Sequence, residues 1–178
     1  MKDLGKTRYC LALEIEHRLD GILVHQLNYT QKVLHCFNED KVKLSGTPMV
    51  VRSLDTKRDP FHLNEDDEEI LEPEVPYLSV IGTLLYLAQC TRPDISLAIN
   101  LLARYNNAQT RRHWIGVKDI FCYLKGTTDL GLFYPYRSSS DATPLSRVNS
   151  RLVGYTDAGY LSDMHKACSQ TGYVFTVW

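Results

Sequence analysis

The chain has 178 residues, enough for one ordinary domain or two small ones. With 44% hydrophobic and 23% charged residues it has a globular composition, which excludes disorder throughout. Its 20 basic and 21 acidic side chains leave a net charge of -1, so a uniformly basic nucleic-acid binder is excluded but a locally basic one is not. The longest apolar stretch, Tyr77 to Cys90, is interrupted by Ser79, Gly82, Thr83 and Gln89. It falls short of the roughly 18 apolar residues that a membrane span needs. The opening Met1-Lys2-Asp3-Leu4 has no apolar run behind its charges, so no secretory leader is expected. The expected location is cytoplasmic or nuclear. The 5 cysteines are widely spaced and match neither a disulfide framework nor a zinc ribbon. His165-x-x-Cys168 is half a metal site at most.

The first pattern in chain order is a pair of strand-like runs, Tyr9 to Ile15 and Ile22 to Gln26, around Leu19-Asp20-Gly21. Asp-Gly between such runs predicts a hairpin in which Gly21 accepts positive φ. Tyr29, Val33, Leu34 and Phe37 have helical spacing, with Asn28 as the expected cap. Residues 61–76 then carry seven acids and no base, between Pro60 and Pro76, and read as an acidic linker.

The middle is helical. Leu78, Ile81, Leu85 and Ala88 form one predicted face. Thr91-Arg92-Pro93-Asp94 predicts a helix restart with Thr91 as its cap, followed by Ile95, Ala98, Ile99, Leu102 and Tyr105 on one stripe. A third helix starts near Thr110, turns Trp114, Val117, Phe121 and Leu124 inward, and stops near Gly126. Arg111, Lys118 and Lys125 recur every seven residues, about two turns, so they share a ridge; Arg112 adds a fourth charge. Such a stripe suits a phosphate backbone, but on the residues alone it reads first as an ordinary solvated helix face.

Leu130 to Tyr134 reads as a strand closed by Pro135, and residues 136–150 as a polar loop. Residues 151–156 run as a strand into Asp157, expected at a strand end, and a second strand covers Thr171 to Trp178.

Several of these segments, in this order, resemble a copia-type retrotransposon Pol polyprotein. The residues that carry the resemblance are Arg8 to Glu16 with Gly21 to Gln26, and Thr47-Pro48-Met49. They continue with Tyr77-Leu78-Ser79, Thr91-Arg92-Pro93-Asp94-Ile95, Tyr123-Leu124-Lys125-Gly126-Thr127, Gly154-Tyr155-x-Asp157-Ala158 and Ser169 to Phe175. One departure is Ala12, where the family usually has glycine.

The resemblance implies an α+β chain in five parts. Residues 1–60 would end a reverse transcriptase palm and 61–76 would be the acidic linker. Residues 77–135 would be thumb and connection helices, 136–150 a polar loop, and 151–178 a truncated RNase H-like start. It further implies that Arg111, Arg112, Lys118 and Lys125 touch a template–primer, an RNA–DNA hybrid or duplex, weakly. Asp157 would correspond to the first acid of an RNase H metal site. The parent family uses Mg2+ in a two-metal displacement that needs several carboxylates. This chain has no Asp-Asp pair on a strand hairpin, since Asp66-Asp67 lies in the acidic run. No catalysis and no stably bound cofactor are therefore expected. Alternatives are a decayed relic, or a co-opted protein-interaction module with no nucleic-acid role.

Overall fold

The computed structural model describes residues 5–37, 43–50, 59, 68, 70–72, 74–136, 152–163 and 168–177. These residues divide into two units. One comprises Met1–Arg52 with Asn64–Pro135, the other Ser53–Leu63 with Tyr136–Trp178. Helices and antiparallel sheets occur together, so the chain is α+β.

In the first unit, strands β1 (Tyr9–Cys10), β2 (Leu13–His17) and β3 (Gly21–His25) form a meander. Its tight turn is closed where Arg18 N donates to Gly21 O at 2.9 Å. The expected positive φ at Gly21 is not there: among the described residues the left-handed positions are Gly5, Leu11 and Ala12. Gly21 is needed for a different reason. A Cβ on it would lie 2.5 Å from the Tyr134 carbonyl oxygen and 2.6 Å from the Phe133 ring. Both belong to β4 (Gly131–Pro135), which pairs with β3 from Gly21↔Pro135 to His25↔Gly131. The left-handed turn instead joins β1 to β2, with φ of 49° at Leu11 and 60° at Ala12.

Helix α1 (Leu27–Cys36) follows β3 directly. Asn28 is not its cap, as the sequence had suggested; Gln26 holds that position without a side-chain cap bond. The first turn is satisfied from the neighbouring strand. Glu14 accepts from Asn28 N at 2.9 Å through Oε1 and from Asn28 Nδ2 at 2.7 Å through Oε2. This puts a negative charge where the helix dipole favours one.

The core lies between α2 (Tyr77–Cys90), α3 (Ser96–Ala103, entered through a 3-10 turn at Pro93–Ile95) and α4 (Arg111–Gly126). Val80, Ile81, Leu84 and Leu87 of α2 are buried with Ile95, Ile99 and Leu102, and with Val117, Ile120, Phe121 and Leu124 of α4. Each such side chain contributes roughly 1.5–3 kcal/mol on leaving water. Val33 and Leu34 of α1 join the core, and the Phe37 ring centroid lies 5.7 Å from that of Phe121. The inward face of α2 is rotated from the predicted one. Leu78 is 66% exposed, while Tyr77 and Leu84 are buried. Tyr77 can be buried because its hydroxyl donates to Leu102 O at 2.9 Å. Burial pushes this phenol's pKa well above its usual value. The predicted stripe of α3 is buried from Ile95 through Leu102, whereas Tyr105 is half-buried and stacks on His113 with centroids 3.8 Å apart.

The second unit contains an antiparallel ribbon of β5 (Leu152–Asp163) and β6 (Cys168–Val177). Both strands run longer than the sequence suggested, with a register irregularity between Gly159 and Asp163.

Candidate nucleic-acid interface

Two of the sequence blocks that carry the family resemblance meet in space. Arg92, 2% exposed, follows the C-terminus of α2, and its guanidinium reaches in two directions. Nε and Nη2 donate to Asp94 Oδ1 at 3.0 Å and Oδ2 at 2.7 Å. Nη1 and Nη2 donate to Thr127 O at 2.8 Å and Thr127 Oγ1 at 2.7 Å, just past the end of α4. The Tyr123 ring lies 5.6 Å from the guanidinium carbon, and its hydroxyl donates to Asp94 Oδ2 at 2.9 Å. Burial pushes the Asp94 carboxyl up, but the Arg92 hydrogen bonds and charge, with the Tyr123 hydroxyl, outweigh it and hold the pKa below its ordinary value. Arg92 thus satisfies the end of α4 and ties it to the α2–α3 junction.

Thr91, expected to cap the following helix, ends α2 instead and is buried. Its Oγ1 donates to Gln26 Oε1 at 2.8 Å, linking α2 to the start of α1. The capping box is at the next helix. Thr110 is the N-cap of α4, and its backbone N donates to Nδ1 of His113 at 3.0 Å. A histidine in the third position does the work of the usual Glu or Gln.

With both ends held, α4 buries His113, Gly116, Val117, Ile120, Phe121 and Leu124. Arg111 and Lys118 are exposed on another face and Lys125 is half-buried. Seven residues at about 100° each return to nearly the same direction, so these three share a ridge that runs the length of the helix. Ile115, 53% exposed, lies beside them. Arg112 does not belong to that ridge, being about 100° away from Arg111. It forms an ion pair with Glu68 of the acidic segment, Nη2 to Oε2 at 2.7 Å. The same segment is held by Leu71 N donating to Gln109 O at 2.7 Å and by a bridge between Ile70 and Thr110. Asp119 is the helix's one acid, and burial raises its pKa.

Asp157 is not at a strand end. It lies within β5, opposite Gly172, and is exposed. Strand alternation places it on the same side as Tyr155 and Val174. A magnesium pair needs several convergent oxygens. Among the described residues no three His, Cys, Asp or Glu side chains converge anywhere. Asp157 with its described neighbours does not fit such a centre. The described residues contain no helix long and apolar enough to cross a membrane.

Glu68, Tyr123 and Thr127 were missed as partners from the sequence, because their contacts span tens of residues. A single arginine between two apolar helices was the legible hint of the Arg92 network.

The chain is 34% identical over 179 residues to the retrovirus-related Pol polyprotein from transposon TNT 1-94 of Nicotiana tabacum, across 99% of this chain. It is 30% identical over 98% of its length to that from transposon RE2 of Arabidopsis thaliana. The chain belongs to the copia-type retrotransposon Pol polyproteins. This Pol segment spans only 12% and 11% of those two relatives. It is also 33% identical over 101 residues to the secreted RxLR effector protein 161 of Plasmopara viticola, covering 57% of this chain and 64% of that one. No family model and no solved structure matches.

Proposed function

We propose that this Pol segment contacts a template–primer through α4 and carries no polymerase or ribonuclease chemistry by itself. In this reading the β1–β3 meander and α1 end the palm, α2 to α4 form the thumb and connection, and the β5–β6 ribbon begins the RNase H region. The observation that carries it is the ridge of Arg111, Lys118 and Lys125 on a helix whose opposite face is buried. A rigid, evenly spaced row of cations suits the regular phosphates of a duplex, and each phosphate contact adds about 0.9 to the log–log salt slope. The part of this reading that leaves out chemistry is supported by the sequence, whose one Asp-Asp pair, Asp66-Asp67, falls in the acidic run, and by the described residues, among which no three His, Cys, Asp or Glu side chains converge.

Two measurements test this. Neutralising Arg111, Lys118 and Lys125 to Gln together should weaken binding to an RNA–DNA hybrid and to duplex DNA alike, and flatten the salt slope by about two to three. Curves that superimpose on the unaltered chain's would remove the nucleic-acid reading. In the second, primer extension and hybrid cleavage with magnesium or manganese should not exceed those of an Asp157→Asn variant.

A second reading, a protein-interaction module, is favoured by the partial match to a protein named as a secreted effector. Cooperative unfolding without any hybrid binding would select it.

A further inference from the structure

We infer that the groove on the β1–β2 side of the meander is a phosphate-binding site, with Lys6 and Arg8 as its two cations. It uses no residue of α4, so it goes beyond the reading above and can fail separately from it.

The pairing of β1 with β2, Tyr9↔Glu14 and Cys10↔Leu13, brings Arg8 opposite Ile15 one step earlier in the chain. Ile15 N donates to Arg8 O at 2.9 Å, in keeping with that step. Two residues further back, Lys6 comes level with His17, and His17 Nε2 donates to Thr7 O at 2.9 Å. Strand alternation sets Lys6, Arg8, Ile15 and His17 toward one side. These four side chains, with Glu16, line a groove of about 340 Å³, the size of a small ligand pocket.

Both cations are exposed, and among the described residues neither has a carboxylate partner. The one acid at the groove is already engaged. Glu16 Oε2 accepts from Arg18 Nη2 at 2.9 Å, and its Oε1 accepts from His25 Nε2 at 3.2 Å. The Arg18 hydrogen bond, and after it the His25 bond, hold the Glu16 carboxyl below its ordinary value. Its charge is answered by Arg18, which leaves Lys6 and Arg8 as two unanswered positive charges. Two hydrogen bonds fix their backbone to β2, so little backbone order remains to be lost when an anion binds. A guanidinium fork beside an ammonium point charge suits a tetrahedral oxyanion, whereas a planar carboxylate would occupy the fork alone. The ligand is therefore a phosphate group, carried by a small molecule or by a nucleic-acid strand.

The test titrates the full 178-residue chain with inorganic phosphate at constant ionic strength, following the backbone amide shifts of residues 6–8 and 15–17. Lys6→Gln with Arg8→Gln should weaken phosphate binding about tenfold, the loss of two exposed charge pairs. Lys32→Gln with Lys43→Gln removes the same charge from exposed positions elsewhere and should leave the affinity nearly unchanged. Acetate should shift the same amides far less than phosphate. Thermal unfolding should be unmoved in both double variants, because all four side chains are exposed.

A salt series with an RNA–DNA hybrid then separates the two sources. If a strand supplies the phosphate, Lys6→Gln with Arg8→Gln should flatten the log–log slope by about two. An unchanged slope beside weakened phosphate binding would assign the site to a small phosphate-bearing molecule. Equal weakening by the two double variants would overturn the site, as would an equal response to acetate. So would amides of residues 6–8 and 15–17 that do not respond to phosphate.

Discussion

Arg92 carries a charge into a site where it is 2% exposed, and it is stable there because five hydrogen bonds and an aromatic face replace water. Removing it would leave the one-third-exposed Asp94 carboxylate beside Tyr123 with no cation and the Thr127 oxygens without their donor, a loss of about 3 kcal/mol. Arg92→Ala should lower the free energy of unfolding by that amount, read as a lower denaturant midpoint with an unchanged unfolding slope. The Asp94 pKa adds a pH signature. A carboxyl held below its ordinary value stabilises the fold above the usual carboxylate range, and that stabilisation is lost as pH falls through the lowered folded value. In Arg92→Ala the cause of the lowering is gone, so the stability gap between the unaltered chain and the variant should narrow as pH drops below that range. A gap independent of pH would show that Asp94 is not the group responsible. Ala12 is a second residue-scale test. Its φ of 60° costs a residue with a Cβ about 1 kcal/mol, so Ala12→Gly should be neutral or stabilising by up to that amount in a denaturant titration. Gly21→Ala should be strongly destabilising, because its Cβ would meet the Tyr134 carbonyl at 2.5 Å.

Among the elements, α4 is the one on which both the fold and the proposed interface depend. Its N-terminus is organised by Thr110 and His113, its C-terminus by Arg92 and Thr127, and its middle by the core. Thr110→Ala removes a cap and should cost about 1 kcal/mol, read by thermal or chemical unfolding. Thr91→Ala tests a different bond, the tether between α2 and Gln26. It too should destabilise by about 1 kcal/mol, the ordinary worth of a hydrogen bond. Its effect should vanish when Gln26 has already been changed to Ala, which a lost helix cap would not show. The ridge of α4 can be altered with little cost, since Arg111 and Lys118 are exposed. Their neutralisation should therefore change hybrid affinity while leaving the melting temperature nearly unmoved.

For the whole molecule, the two units differ in what they bury. The first has a core of fully buried aliphatic and aromatic side chains. In the ribbon, Tyr155, Tyr173, Val174 and Phe175 are 59–71% exposed. A two-stranded ribbon with exposed apolar side chains and unpaired edges is prone to pair with other chains. Phe175 already has a local role, since it covers Gly154 closely enough that a Cβ there would lie 2.8 Å from its ring. Val174 is the better place for a charge. Val174→Lys should reduce aggregation in light scattering without lowering the unfolding midpoint of the first unit. An unchanged aggregation rate would place the sticky surface elsewhere.

The sequence by itself determined the family and most of the elements, although the run Tyr9 to Ile15, expected as one strand, is broken into β1 and β2 by the left-handed turn at Leu11 and Ala12. Helical periodicity located α2, α3 and α4, alternation and the Asp20-Gly21 pair located the β2–β3 hairpin, and the ordered motifs identified the Pol relationship. These signals are local, lying within a few turns or one hairpin. Tertiary structure decided which local options were used. Thr91 could cap a helix, but the nearby Gln26 drew its hydroxyl into a buried tether. Gly21 could adopt positive φ, but the approach of β4 made its missing Cβ the decisive property. Asn28 could cap α1, but Glu14 reached across from β2 with a stronger, charged acceptor. Glu68 read as one acid among seven in a linker, yet it pairs with Arg112 because the chain returns to the start of α4. In each case a polar group had more than one satisfactory partner along the chain. Only the three-dimensional arrangement of the elements determined which partner was near enough to satisfy it after burial.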